Sequence, residues 1–184
     1  MPVAMCHTNA ERKQLNYLVR SRLKEQGAIG QEDKQFLVRD RENVEQVRNF
    51  SLGEQIVFLK NDTRSKVTLT GESGKVPRLD NVLNGSQGSI EAFRADGQVD
   101  VRLPNGQLAA WNPETYQHVD SAYMMTTMKA QGASKLQATA HLPSDSFGNS
   151  ANDLYVAISR HRRDLVVFTD DVEALKKRVS KWEE

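Results

Sequence analysis

The stretch Asp153-Leu154-Tyr155-Val156-Ala157-Ile158-Ser159-Arg160-His161-Arg162-Arg163-Asp164-Leu165-Val166-Val167-Phe168 decides how this chain folds. Leu154, Val156, Ala157 and Ile158 fall at or near one face of a helix over 153–163. The run from Leu165 to Phe168 is wholly apolar, with a β-branched pair at its centre. A helix feeding into such a strand predicts a unit of a parallel α/β sheet, the strand buried on both faces. One more helix is expected from Asp171 to Trp182.

The first residues carry the same pattern. Met1 to Cys6 is strand-like and runs directly into an amphipathic helix from Thr8 to Gln26, with Leu15, Leu18, Val19 and Leu23 along one stripe. Thr8 and Glu11 have capping-box spacing, and Gly27 supplies a left-handed stop. A strand with no leader before it suggests a piece cut from a longer chain. From Gln31 to Asn49 the sequence is charged and weakly periodic, with Phe36-Leu37-Val38 its one strand-like run.

Between these two pieces the character changes. Gln55 to Leu59, Gly88 to Phe93 and Val99 to Leu103 read as short strands, and Ala95-Asp96-Gly97 and Pro104-Asn105-Gly106 read as tight turns. Lys60 to Ser86 is polar and reads as a long loop. Residues 50–118 therefore predict a small inserted β-barrel of about five strands, and 1–49 with 119–184 predict the flanking parallel sheet.

Composition narrows the chemistry. Twenty-five basic and 24 acidic residues leave a net charge of +1, so any contact with nucleic acid must be local rather than driven by a global field. The single cysteine, Cys6, excludes an internal disulfide and reads as a buried small hydrophobe. No apolar run is long enough for a membrane span, so no membrane insertion and a cytoplasmic protein are expected. The four histidines lack metal-ligand spacing, and Ser159 and Asp153 have no histidine partner for a triad. Gly74-Lys75 is followed by valine and has Leu69 where a phosphate loop needs its first glycine, so no such loop is present.

Two motifs and their order carry a resemblance. Tyr155-Val156-Ala157-Ile158-Ser159-Arg160 closely resembles the sixth motif of superfamily 1 DNA helicases. Thr126-Thr127-Met128-Lys129-Ala130-Gln131-Gly132-Ala133-Ser134 is similar to the fifth, which commonly reads Thr-x-His-Lys-Ser-Gln-Gly. His7 to Glu11 with Leu15-Asn16 is similar to the fourth-motif region of RecD-like enzymes, and 50–118 resembles their SH3-like insertion. The nearest family is the fused relaxase-helicase of plasmid conjugation.

The resemblance implies a RecA-like domain 2A interrupted by an SH3-like domain 2B. It implies that Arg160 is an arginine finger, because a planar, permanently charged fork suits the charge that spreads over phosphate oxygens in phosphoryl transfer. An ordinary surface arginine at a helix C-terminus is the alternative. Gln131, Gly132, Tyr155 and Ser159 would couple nucleotide to DNA, and Thr8, Asn9, Thr126, Lys129 and Ser134 would touch single-stranded DNA. Trp111, Tyr116 and Tyr123 are candidates for base stacking. ATP and Mg²⁺ are expected only in the full-length protein, held by an N-terminal ATP-binding domain; conjugation proteins are further expected partners. Met128 and Ala130 replace the usual histidine and serine, which leaves open a vestigial module for DNA holding or protein docking. A free-standing SH3-like recognition module leaves Tyr155 to Arg160 unexplained.

Overall fold

In the computed structural model, residues 3–64, 66–71, 80–127, 135–144, 155–156, 159 and 161–180 are described. They divide into two compact units, Met1–Leu18 with Tyr123–Glu184, and Val19–Ala122.

The first unit is built on a four-stranded parallel sheet. Its strands are β1 (Val3–Cys6), β10 (Met125–Thr126), β11 (Lys135–His141) and β12 (His161–Phe168), in the order β10-β1-β11-β12. Met5, Ala138, Ala140 and Leu142 form its buried core. The expected parallel sheet is therefore present, with differences in detail. β12 begins at His161, four positions before the predicted Leu165, so the predicted helix does not reach Arg163. Only Tyr155 and Val156 of that helix are described as helical, with the Ser159 amide donating to the Tyr155 carbonyl at 2.9 Å. The strand is also less buried than its apolar run predicts: Val166 is 51% exposed and Phe168 57%, and among the described residues β12 pairs only with β11.

Helix α1 (Asn9–Glu25) begins as predicted. The Thr8 amide donates to Glu11 Oε2 at 2.7 Å, and the Glu11 amide donates back to Thr8 Oγ1 at 3.1 Å, completing the capping box. Gly27 ends the turn at φ 65°. The predicted apolar stripe is only partly the buried face, with Leu15, Val19 and Leu23 half-buried. Leu18 is 52% exposed, while the polar Arg12 and Asn16 are buried. Asn16 is held by hydrogen bonds, its Oδ1 accepting from the Met124 amide at 2.9 Å and its Nδ2 donating to the Met124 carbonyl. Helix α2 (Val172–Ser180) closes the described chain, and no described helix is long and apolar enough to cross a membrane.

After the last turns of α1, the described strands of the second unit are all antiparallel. Six strands run in the order β5-β8-β7-β6-β4-β9: β4 (Gln55–Phe58), β5 (Val67–Thr70), β6 (Gln87–Phe93), β7 (Val99–Arg102), β8 (Leu108–Trp111) and β9 (Val119–Ser121). β5 lies within the segment predicted as loop and pairs with β8. A separate hairpin, β2 (Lys34–Arg39) with β3 (Glu45–Phe50), turns through Asn43 at φ 63°. Its Val38 and Phe50 are buried in the same core as Phe58, Ile90, Val101 and Trp111. Residues 31–49, unassigned from sequence and placed with the parallel sheet, therefore belong to the β unit. The hairpin hides its period-2 signal because its faces are mixed: Leu37 and Val47 point outward as an exposed pair, while Gln46 and Arg48 lie on the inward face beside Phe50.

Candidate functional site

Strand direction sorts the candidate residues onto the two ends of the parallel sheet. β1 and β10 finish side by side, with Cys6 paired to Thr126. Thr8 and Asn9 follow β1 directly, so Thr8, Asn9 and Thr126 share the carboxyl end of the sheet. β11 and β12 start side by side, with Lys135 paired to His161. The residues preceding each, Ser134 and Arg160, adjoin that amino end in the chain. The stretch from Thr126 to Ser134 thus runs between the carboxyl end of one strand and the amino end of another. Lys129, Gln131, Gly132, Ser134 and Arg160 themselves lie outside the described residues, as do Met128 and Ala130.

Each described candidate has a local role. Thr8 caps α1, and Asn9 Oδ1 accepts from Arg12 Nε at 3.3 Å. Tyr155 is 62% exposed. Ser159 Oγ donates to the Val156 carbonyl at 2.9 Å, closing the helical turn that leads to Arg160. Burial, with the Glu11 carboxylate adding to it and Arg12 opposing it, pushes the Cys6 thiol up to about 12. The fully buried thiol thus stays protonated and inert, as its reading as a small hydrophobe requires.

Two candidates are overturned by burial. Trp111 is fully buried, with ring centroids 5.7 Å from Phe36, 6.0 Å from Phe50 and 6.4 Å from Phe58. Its Nε1 donates to the Tyr116 carbonyl at 2.7 Å. Tyr116 is 4% exposed, and its hydroxyl donates to the Lys60 carbonyl at 2.6 Å. Neither ring can stack on a base, since both are already packed and both polar tips are satisfied. Tyr123 is half-buried.

Sequence reasoning passed over two further groups. Asn16 holds both backbone polar groups of Met124, the residue before β10, and so fixes the strand that leads into Thr126. Its spacing from the capping box, on a helix whose apolar residues are at most half-buried, is the signal that could have found it. The other group is a polar knot at the end of α1. Arg20 Nε donates to Glu54 at 2.7 Å, while Lys24 Nζ at 2.6 Å and Ser51 Oγ at 2.5 Å both donate to Asp33. Burial pushes the Glu54 carboxyl up despite the Arg20 guanidinium beside it. For Asp33 the balance is reversed: burial raises it, but hydrogen bonds from Lys24, Ser51 and Arg20 outweigh this and hold it well below the usual carboxylate range.

No family model matches the chain. It is 29% identical over 166 residues to the conjugal transfer protein TraA of Agrobacterium fabrum. It is 30% identical over 167 residues to a probable conjugal transfer protein TraA of Sinorhizobium fredii. Each alignment covers 89% of this chain and 13% of the relative, so the chain spans about an eighth of the length of the curated proteins it matches. Among solved structures, Pif1 helicase from Bacteroides in complex with ADP-AlF3 and single-stranded DNA matches with a TM-score of 0.62 at 18% identity, over 98% of this chain and 45% of that one. Pif1 helicase from Candida albicans matches with a TM-score of 0.57 at 16% identity, over 99% of this chain and 50% of that one. The resemblance read from the two motifs is thereby borne out: in sequence the chain is a relative of a segment of the conjugal transfer proteins TraA, and in fold it matches part of the Pif1 helicases.

Proposed function

We propose that this chain is the second motor region of a DNA helicase of the conjugative relaxase type. The parallel unit acts as a RecA-like domain 2A and the β unit as an SH3-like domain 2B. Arg160 is the arginine finger, Tyr155, Ser159, Gln131 and Gly132 couple nucleotide state to DNA, and Thr8, Asn9, Thr126, Lys129 and Ser134 grip a single strand. The reading is supported above all by topology: the stretch similar to the fifth motif joins β10 to β11, and the stretch similar to the sixth ends directly at β12, all within one parallel sheet. TraA kinship and the Pif1 fold match support the same reading.

The residues of this chain do not fit a complete nucleotide site. There is no phosphate loop, and among the described residues no group of three His, Cys, Asp or Glu side chains is placed to hold a metal. ATP and Mg²⁺ belong to a separate N-terminal domain, and this chain contributes a guanidinium, a coupling stretch and strand contacts. Ser159 closes the turn before Arg160 with its own hydroxyl, so its part in the coupling is to position that arginine. Met128 and Ala130 favour a second reading, a module that has kept the fold and lost the coupling.

The test uses the full-length parent protein. Arg160→Ala abolishes ATP turnover, a loss of about 10³-fold or more, and leaves single-stranded DNA binding within about twofold. Unchanged turnover rejects the finger; a parent with no turnover at all favours the second reading.

A further inference from the structure

The β unit gathers cations around one corner of its chain. The segment 115–118, between β8 and β9, takes up residues from three other places. Arg39, at the end of β2, donates from its amide to the Gln117 carbonyl at 2.7 Å and from Nε to Gln117 Oε1 at 3.2 Å. Lys60, just after β4, donates its amide to the Tyr116 hydroxyl at 3.2 Å and accepts from that hydroxyl through its carbonyl. Lys66, just before β5, donates from Nζ to the Thr115 carbonyl at 2.9 Å. His118 lies in the segment itself, its ring edge-on to Tyr116 at 6.0 Å.

Four arginines elsewhere in this unit are neutralised. Arg20 lies on Asp33 and Glu54, Arg48 on Asp120, Arg94 on Asp100 and Arg102 on Glu91. At the corner the balance differs. Glu45 takes Arg39 at 2.6 Å. Asp62 is 4% exposed and accepts from the Arg64 and Val67 amides. Glu114 is exposed one residue away. Lys60 and Lys66 are both exposed and form no ion pair with a carboxylate among the described residues. Protonation of His118 is held down by burial first and then by the charges of Lys60, Arg39 and Lys66.

We propose that this corner, with Lys60, Lys66 and His118, is a subsite for the backbone phosphates of a single DNA strand. The inference rests on the reading of the chain as part of a DNA motor, and it names where the β unit touches the strand. A phosphate here relieves the repulsion among the cations and restores the proton of His118, so binding takes up a proton and tightens as pH falls. Trp111 and Tyr116, buried behind the corner, hold it in shape rather than stacking on bases.

The experiment is fluorescence anisotropy of a labelled oligo(dT) titrated with the 184-residue chain across a salt series. The K60E/K66E double variant binds about tenfold or more weakly, and its log–log salt slope is shallower by about 1.4, or 0.7 for each phosphate no longer neutralised. K177E, the same charge reversal made once on α2, stays within about twofold. H118Q equals the native chain at pH 8 and lacks its gain in affinity at pH 6. Unchanged affinity and slope in K60E/K66E, or an equal loss in K177E, overturns the proposal. If urea midpoints show K60E/K66E to be unfolded, K60Q/K66Q removes the same two cations and carries the same comparison of slopes. Failure here leaves the Arg160 result on the full-length parent untouched, and failure there leaves this subsite standing, so the two are told apart.

Discussion

Trp111→Phe separates a core residue from a stacking platform. The indole Nε1 donates to the buried Tyr116 carbonyl at 2.7 Å, and phenylalanine leaves that carbonyl without its donor, a cost of about 1–3 kcal/mol. The smaller ring also leaves a void facing Phe36, Phe50 and Phe58, adding about 1–2 kcal/mol. The expected loss is about 2–5 kcal/mol, which at a mid-range urea dependence of ~2 kcal/mol per molar lowers the midpoint by about 1–2.5 M. The assay is far-UV circular dichroism in urea, with oligo(dT) anisotropy measured alongside in native buffer. Affinity under native conditions stays near that of the unsubstituted chain. A midpoint that does not move, together with weakened binding, would show that the ring works at the surface and would refute the placement of Trp111 in the core.

Two further substitutions test the polar contacts. Asn16→Ala removes the partner of both Met124 backbone groups, so the Met124 amide exchanges about 10- to 100-fold faster while the amides of Leu108–Trp111 keep their protection; equal protection in both proteins rejects the clamp. Asp33 is held below the ordinary carboxylate range, so its contribution is present above about pH 4 and is lost as pH falls through its folded value. Asp33→Asn lowers the urea midpoint at pH 7, and the gap to the native chain narrows by pH 3; a gap that widens with acid reverses the sign assigned here. Glu54 runs the other way, since burial raises it and its ionisation weakens the fold as pH climbs.

The parallel sheet was legible where burial and side-chain size coincide, and illegible where they part. The apolar run ending at Phe168 announced β12, and the capping box and Gly27 announced the limits of α1. β11 gave no comparable signal, because among its described side chains the buried ones are Ala138 and Ala140, and alanine favours helices over strands. His161 to Arg163 looked helical because a basic run suits a helix C-terminus, yet these residues are strand, in a β12 that pairs with β11 from Lys135 onward. The β2–β3 hairpin was hidden by Arg48, an inward residue that is tolerable only because Asp120, fully buried, meets it in an ion pair. Such a pair joins residues distant in sequence, and no local pattern carries it.

The same logic governs the candidate site. Arg160 and the stretch from Lys129 to Ser134 were found by motif, a signal that needs no contact to be visible. The corner at 115–118 has no motif, since Arg39, Lys60, Lys66 and His118 come from separate segments that only the fold brings together. A net charge of +1 argues against any strong global field. What it left out is how the charges are distributed among partners. In the β unit four arginines outside the corner are neutralised by carboxylates at 2.5–2.8 Å, so they add little to the potential seen by a polyanion. Lysines bonded only to backbone keep their full charge toward solvent, and two of them beside a partly buried imidazole make a stronger local field than the composition suggests. A near-neutral chain can therefore hold a strand at one corner, with the salt sensitivity of a few phosphate contacts and no more.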